Sequence, residues 1–174
     1  MAERSKKTVL VVDDEADVRD FLKAALMEAG FEVVVASDGF EALEAVERQI
    51  PDLISLDLVM PRRSGVKFYH DLTKNKKWSK IPIIIVTGHA RDDLGKADLK
   101  ELTMSGPGIY LEKPVKPHNY IAAIKNLLGM ETTPDEDESA EQVRMQNELK
   151  NIIDNADPDT LRRLKELIDK RTDP

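Results

Sequence analysis

Cysteine is absent from the 174 residues, which removes a disulfide framework and thiolate zinc sites from consideration. No apolar run approaches the ~20 residues that span a bilayer, and Met1 to Lys7 lead into an apolar run too short for a signal peptide. A soluble, cytoplasmic chain with no membrane contact is therefore expected. His70, His89 and His118 are scattered without ligand spacing, and none is read as a metal ligand. A basic excess is also missing. Residues 1–130 carry 19 Lys+Arg against 20 Asp+Glu, residues 131–141 none against 6, and residues 142–174 carry 7 against 7, which gives the formal net charge of −7. No segment can neutralise a phosphate backbone, so no DNA binding is expected.

What is present is a regular alternation. Continuous apolar runs at Thr8 to Val12, Phe31 to Ala36, Leu53 to Leu56, Ile81 to Val86 and Ile109 to Leu111 fit strands covered on both faces, as in a parallel sheet. Between them lie helical spacings. Val18, Phe21, Leu22, Ala25, Leu26 and Ala29 share one face that stops at Gly30. Leu43, Val46 and Ile50 follow an N-cap at Ser37 or Asp38, and Val66, Tyr69 and Leu72 mark a third helix. A weaker pattern runs from Arg91 to Met104, with Gly95 inside it. Pro117 opens a stretch that aligns Tyr120, Ile121, Ile124, Leu127 and Leu128 before Gly129. Five strands alternating with helices predict a doubly wound α/β domain.

In such sheets ligands bind beyond the carboxyl ends of the strands. Those ends carry Asp13 and Asp14 with Glu15 next, Asp57, Thr87-Gly88, and Lys113-Pro114. If the first, third, fourth and fifth strands are neighbours, three carboxylates, a hydroxyl and an ammonium converge. Carboxylates that close raise one another's pKa unless a cation joins them. Oxygen ligands without His or Cys suit Mg²⁺, or Mn²⁺, rather than zinc. A metal, a lysine and a hydroxyl also meet the needs of a phosphoryl group, and a carboxylate can form an aspartyl-phosphate.

These residues carry a family likeness. Val11-Val-Asp-Asp14, Asp57-Leu-Val-Met-Pro-Arg-Arg-Ser-Gly65, Thr87-Gly88 and Tyr110-Leu-Glu-Lys-Pro114 match, in order and spacing, the pattern of the receiver domain of bacterial two-component response regulators. The chain resembles that family over about residues 7–129. The resemblance implies a flavodoxin-like strand order 2-1-3-4-5, with Asp57 accepting a phosphoryl group from a sensor histidine kinase or phosphotransfer protein. It implies that Asp13, Asp14, Asp57 and the backbone carbonyl of Val59 hold Mg²⁺, that Lys113 pairs with the phosphoryl oxygens, and that Thr87 and Tyr110 form the switch. A cis peptide is expected at Lys113-Pro114. Val59 and His89 stand at the two positions that tune such sites, and an apolar Val59, unable to orient water, predicts a long-lived phosphoaspartate.

The implied organisation is a receiver over 1–129, an acidic linker or helix lead-in over 130–141, and a helical hairpin over 142–174. In the tail, Val143, Leu149, Ile152, Ile153 and Ala156 form a partial stripe, and Asp157-Pro158 opens a second helix with Leu161, Leu164, Leu167 and Ile168 on one face. Two such helices are too small to stand alone, so they dock on the receiver, on a second copy or on a partner. The expected output is protein contact with a downstream target, with a homodimer possible through the face of the fourth and fifth expected helices (91–104 and 117–128) or through the C-terminal helices. No enzyme activity is expected beyond the chain's own phosphorylation and dephosphorylation. A phosphatase of the haloacid dehalogenase type is the alternative, but it needs a second aspartate two residues after the nucleophile, where Val59 stands. A flavin module on the same fold lacks its hydroxyl-rich phosphate loop. The basic run Lys74 to Lys80, with Trp78 inside it, reads as a solvated turn rather than a nucleic-acid contact.

Overall fold

The computed structural model describes residues 6–58, 60, 65–88 and 109–172. In chain order the elements are β1 (Thr8–Val12), α1 (Ala16–Glu28), β2 (Glu32–Ala36), α2 (Gly39–Arg48), β3 (Leu53–Leu56), α3 (Gly65–Lys74), β4 (Ile83–Thr87), β5 (Ile109–Glu112), α4 (Pro117–Leu127), α5 (Pro134–Asn155) and α6 (Pro158–Thr172). The five strands form one sheet in the order β2-β1-β3-β4-β5, all pairs parallel. The helix expected over 91–104 lies outside the described residues, as do Val59 and His89.

The strand pleat explains why the apolar runs do not alternate. Leu10 and Val12 of β1 face one side, where Ile54, Leu56, Ile83 and Ile85 meet Val46 of α2 and Phe68 and Leu72 of α3. Val9 and Val11 face the other side, where Leu53, Ile84, Val86 and Leu111 meet Leu22 and Leu26 of α1 and Tyr120 and Ile124 of α4. Successive side chains point to opposite faces, so a strand covered twice must be apolar at every position. The run at 31–36 departs from this expectation. As the edge strand β2 it leaves Val34 and Val35 exposed, because helices that cover a sheet's centre cover its rim less fully.

Local signals end the helices where the sequence places them. The Asp38 carboxylate accepts the N–H groups of Phe40 and Glu41, both at 2.9 Å, and so caps α2. Gly30 follows α1 at φ 94°, a left-handed conformation that favours glycine. Asn75 closes the basic turn by accepting from the N–H of Lys77 at 2.9 Å. Trp78 packs against the core from that turn, which takes its ring away from base stacking.

Of the two expectations for the acidic segment, linker or helix lead-in, the helix is what is formed from Pro134. Residues 134–141 are the first turns of α5. Thr133 and Glu136 form a reciprocal capping box, Pro134 occupies the first turn, and Asp135, Glu136 and Asp137 sit at the positive end of the helix dipole. Acidity there favours a helix rather than coil. Ala140 and Val143 are buried, Val143 in the core layer that α5 joins against α4 and β5. Full burial of a valine contributes about 1.5–3 kcal/mol relative to exposure, more than the ~1 kcal/mol of a cap, so packing dominates the docking. Over 142–174 the chain is helical, and Leu149, Ile152 and Ile153 of α5 and Leu161, Leu167 and Ile168 of α6 are exposed.

The Lys125 ammonium, 2.8 Å from Glu136, and the Thr133 N–H hold the Glu136 carboxyl below its ordinary value of 4.5. A lowered folded value means stability that is present above 4.5 and lost as pH falls through the lowered value. Glu136→Gln should therefore melt below wild type near neutral pH, with the gap closing in acid. A gap that stays constant with pH would show that the carboxylate charge is not what anchors α5.

Candidate functional site

Register builds the site. Val12 of β1 pairs with Leu56 of β3, so the next residues, Asp13 and Asp57, leave the sheet side by side. Their backbones are fixed by the Asp57 N–H donating to Val12 O at 2.9 Å and the Asp13 N–H donating to Ala36 O at 3.1 Å. Thr87 pairs with Glu112, which puts Lys113 one residue beyond the same edge. The peptide between Lys113 and Pro114 is cis, as expected.

The side chains converge. Lys113 Nζ lies 2.7 Å from Asp13 Oδ2, 3.3 Å from Asp57 Oδ2 and 3.5 Å from Glu15 Oε1. Asp13 is 1% exposed and Asp57 4%. Buried carboxylates are tolerable because they are paired and hydrogen-bonded. The Asp13 carboxylate also accepts the Glu15 N–H at 2.9 Å, and its backbone carbonyl accepts from Arg19 at 2.7 Å.

Burial raises the Asp13 carboxyl above its usual 3.8, against the lowering pull of Lys113 and the Glu15 N–H. For Lys113, burial alone would lower the ammonium, but its hydrogen bond to Asp13 and the charges of Asp57 and Asp13 outweigh it, and the net direction is upward from 10.5. Both partners thus hold a proton more tightly. For Asp13 desolvation wins over its partner, as its near-complete burial requires, whereas Lys113 answers to two carboxylates at once.

Carboxylate oxygens of Asp13, Asp14 and Asp57 all lie within 4.8 Å of one another. With Mg²⁺–oxygen bonds of about 2.0–2.1 Å, ligands of one octahedral ion sit roughly 3–4 Å apart. The trio fits such an ion after a small contraction, and its all-oxygen donor set is what a hard cation prefers. Mg²⁺ should raise the melting temperature of the metal-free protein progressively, with roughly 2.7 kcal/mol of stabilisation at a hundredfold excess over Kd. Asp14→Asn should flatten that response. A wild-type protein indifferent to Mg²⁺ would remove the metal from the site.

Of the other expected site residues, Val59 lies outside the described residues, and the Thr87 side chain lies outside them too, although its backbone ends β4. Tyr110 is partly buried on β5 against the core. Two contributors were not foreseen. A Cβ on Gly65 would stand 2.0 Å from Asp57 O, and α5 reaches back to Tyr110 through Asn147 and Lys150. The glycine at the end of the Asp57 motif was a visible signal for the first; the second depends on tertiary packing alone.

The comparisons with known proteins agree with this geometry. The model of the response regulator receiver domain matches residues 9–125. The chain is 37% identical over 134 residues to "Probable transcriptional regulator ycf27" of Cyanophora paradoxa, covering 76% of this chain and 52% of that protein. It is 34% identical over 122 residues to the phosphate regulon transcriptional regulatory protein PhoB of Pseudomonas aeruginosa, covering 70% of this chain and 52% of that one. A CheY-like response regulator receiver domain protein from Methanospirillum hungatei has the same fold at TM-score 0.64 and 28% identity, covering 79% of this chain and 99% of that one. The chain spans about half the length of the transcriptional regulators it matches.

Those relatives overturn the expectation of no DNA binding, since regulators of transcription work at DNA. The expectation rested on the charge of segments of this chain, while about half of each relative's length lies beyond the match. The balance of charge in 142–174 is thus no measure of the partners of such a regulator. Among the described residues, no helix is long and apolar enough to cross a membrane.

Proposed function

Because the chain belongs to the response regulator receiver domain family, we propose that it accepts a phosphoryl group on Asp57 from the phosphohistidine of a sensor kinase or phosphotransfer protein. The observation that carries this reading is the pairing of a nearly buried Asp57 with Lys113 at 3.3 Å, beside Asp13 and Asp14 in a metal-sized cluster.

In the transfer, an Asp57 carboxylate oxygen forms a new P–O bond as the P–N bond to the donor imidazole breaks, the departing nitrogen keeping the electron pair. Lys113 balances charge on the phosphoryl oxygens. Its ammonium is already held at the site and does not need to reorganise. Asp13, Asp14, Asp57 and the carbonyl of Val59 would hold Mg²⁺, which when bound supplies neutralisation of the crowded carboxylates. The chain's own catalysis is confined to its phosphorylation and dephosphorylation.

The added charge and acceptor oxygens then bias a two-state element. The Thr87 hydroxyl is drawn toward the phosphoryl group, and the Tyr110 ring repacks into the space it leaves. The population moves to a state that is minor without phosphate. Output proceeds through a protein contact, with DNA downstream of that contact where the protein acts as its transcriptional relatives do.

Acetyl phosphate with Mg²⁺ tests the reading. Wild type should gain one hydroxylamine-sensitive acyl phosphate, and Asp57→Asn none. An unlabelled wild type, or equal labelling of the variant, would refute it.

A further inference from the structure

Helix α5 holds the residue that the receiver reading makes the switch. β5 is the edge strand of the sheet, and the backbone groups of an edge strand seek partners. The Asn147 side chain supplies them to Tyr110. Its Oδ1 accepts the Tyr110 N–H at 2.9 Å, and its Nδ2 donates to the Tyr110 carbonyl at 3.0 Å. One amide thus makes the two bonds a neighbouring strand would make. The amide is itself oriented by a second Nδ2 bond, to Val143 O at 2.8 Å. One turn further on, Lys150 Nζ stands 4.1 Å from the centre of the Tyr110 ring, within range of a cation–π attraction. Both the backbone and the ring of Tyr110 are therefore held from one helix.

The two halves of α5 are attached differently. The N-terminal half is anchored by Ala140 and Val143 in the core and by Glu136 on Lys125. Beyond Val143, the described polar contacts with the sheet go to Tyr110, while Met145, Leu149, Ile152 and Ile153 are exposed. A cleft of about 230 Å³, lined in part by Tyr110, Pro114, Val115, Gln146 and Lys150, lies beside the ring.

We infer that α5 is a built-in reader of the switch: Asn147 and Lys150 favour the arrangement of Tyr110 seen here, and phosphorylation of Asp57 loosens residues 147–155 from β5 while the N-terminal turns of α5 stay docked. The inference rests on the receiver reading above. When the ring turns, Lys150 loses its partner and the C-terminal half of α5 loses one of its described contacts with β5. Coupling is reciprocal. If the phosphorylated state weakens the helix's hold, weakening the hold favours the conformation that the phosphorylated state adopts by the same equilibrium factor, and so eases phosphorylation.

Amide hydrogen exchange of the full chain, with and without acetyl phosphate and Mg²⁺, reads this out. In wild type, phosphorylation should speed exchange at the Tyr110 amide and across 147–155 roughly five-fold, leaving 136–143 unchanged. Asn147→Ala should show the faster Tyr110 exchange without phosphate, and should reach half-maximal phosphorylation at a lower donor concentration. Lys150→Met, which keeps the stem and removes the charge, should shift the donor requirement in the same direction with the fold intact. If wild type is phosphorylated on Asp57 and exchange at Tyr110 and 147–155 does not change, α5 is a passive cover and the inference is overturned. If wild type takes no phosphate, the receiver reading falls and the inference falls with it, a result distinguished by the absence of the acyl phosphate itself.

Discussion

Replacing Gly65 by alanine is expected to destabilise the protein by about 3 kcal/mol and to disable the acidic site together with the fold. The cause is a close approach of two backbones. A Cβ at this position would lie 2.0 Å from Asp57 O, 2.7 Å from Leu58 Cα and 2.9 Å from Asp57 C. No flexible side-chain end is there to yield, so either the start of α3 or the chain after β3 must move. The approach is tied down by the Gly65 N–H donating to Leu58 O at 3.1 Å. Relief of the clash would displace the carbonyl of Asp57 and with it the carboxylate. Urea denaturation should show a lower midpoint for Gly65→Ala, and Mg²⁺ should stabilise it less than wild type. A variant with the wild-type midpoint and metal response would mean that this approach is not needed.

The second large effect is expected from Lys113→Met. The ammonium is 2.7 Å from Asp13 and 3.3 Å from Asp57, and removing one member of a buried ion pair costs about 3–5 kcal/mol because the remaining charge stays desolvated. Here two carboxylates are left without it. Burial already holds Asp13 above its ordinary value, and losing Lys113 removes a lowering influence. A raised carboxyl binds its proton more tightly in the folded state, so its stabilising contribution is full in acid and is lost as pH rises through the folded value. The variant should therefore be much less stable than wild type at neutral pH and recover in mild acid or with added Mg²⁺. Phosphorylation by acetyl phosphate should fall by roughly a hundredfold, in line with losing one preorganised charge contact to a transition state. Equal stability of the two proteins at neutral pH would show that Asp13 and Asp57 do not depend on the ammonium.

The parts of the site legible in the sequence were those carried by chain-local patterns. Asp13 and Asp57 each follow an apolar run directly, and in a parallel sheet that position is at the carboxyl edge whatever the tertiary details. Asp38 and Gly30 were readable because capping chemistry acts within a few residues. Exposure of Val34 and Val35 was not readable, since an apolar run looks the same in a central strand and at a rim. The start of α5 stayed open between linker and helix lead-in although Thr133-Pro-Asp-Glu136 spells a capping box, because the acidic run around it resembles a coil in composition. Packing of Val143 decides for the helix, and that depends on α4 and β5 standing where they do. Asn147 and Lys150 lie 37 and 40 residues from Tyr110, and no local pattern links them to it.

The burial of Val143 separates the extent of the family match from physical integrity. The match to the receiver-family model ends at residue 125, yet the apolar layer containing Ile124 and Leu111 is completed by a side chain well past that point. The family match and the exclusion of water draw different limits for this molecule, and the smallest piece able to keep that layer dry extends past the matched residues.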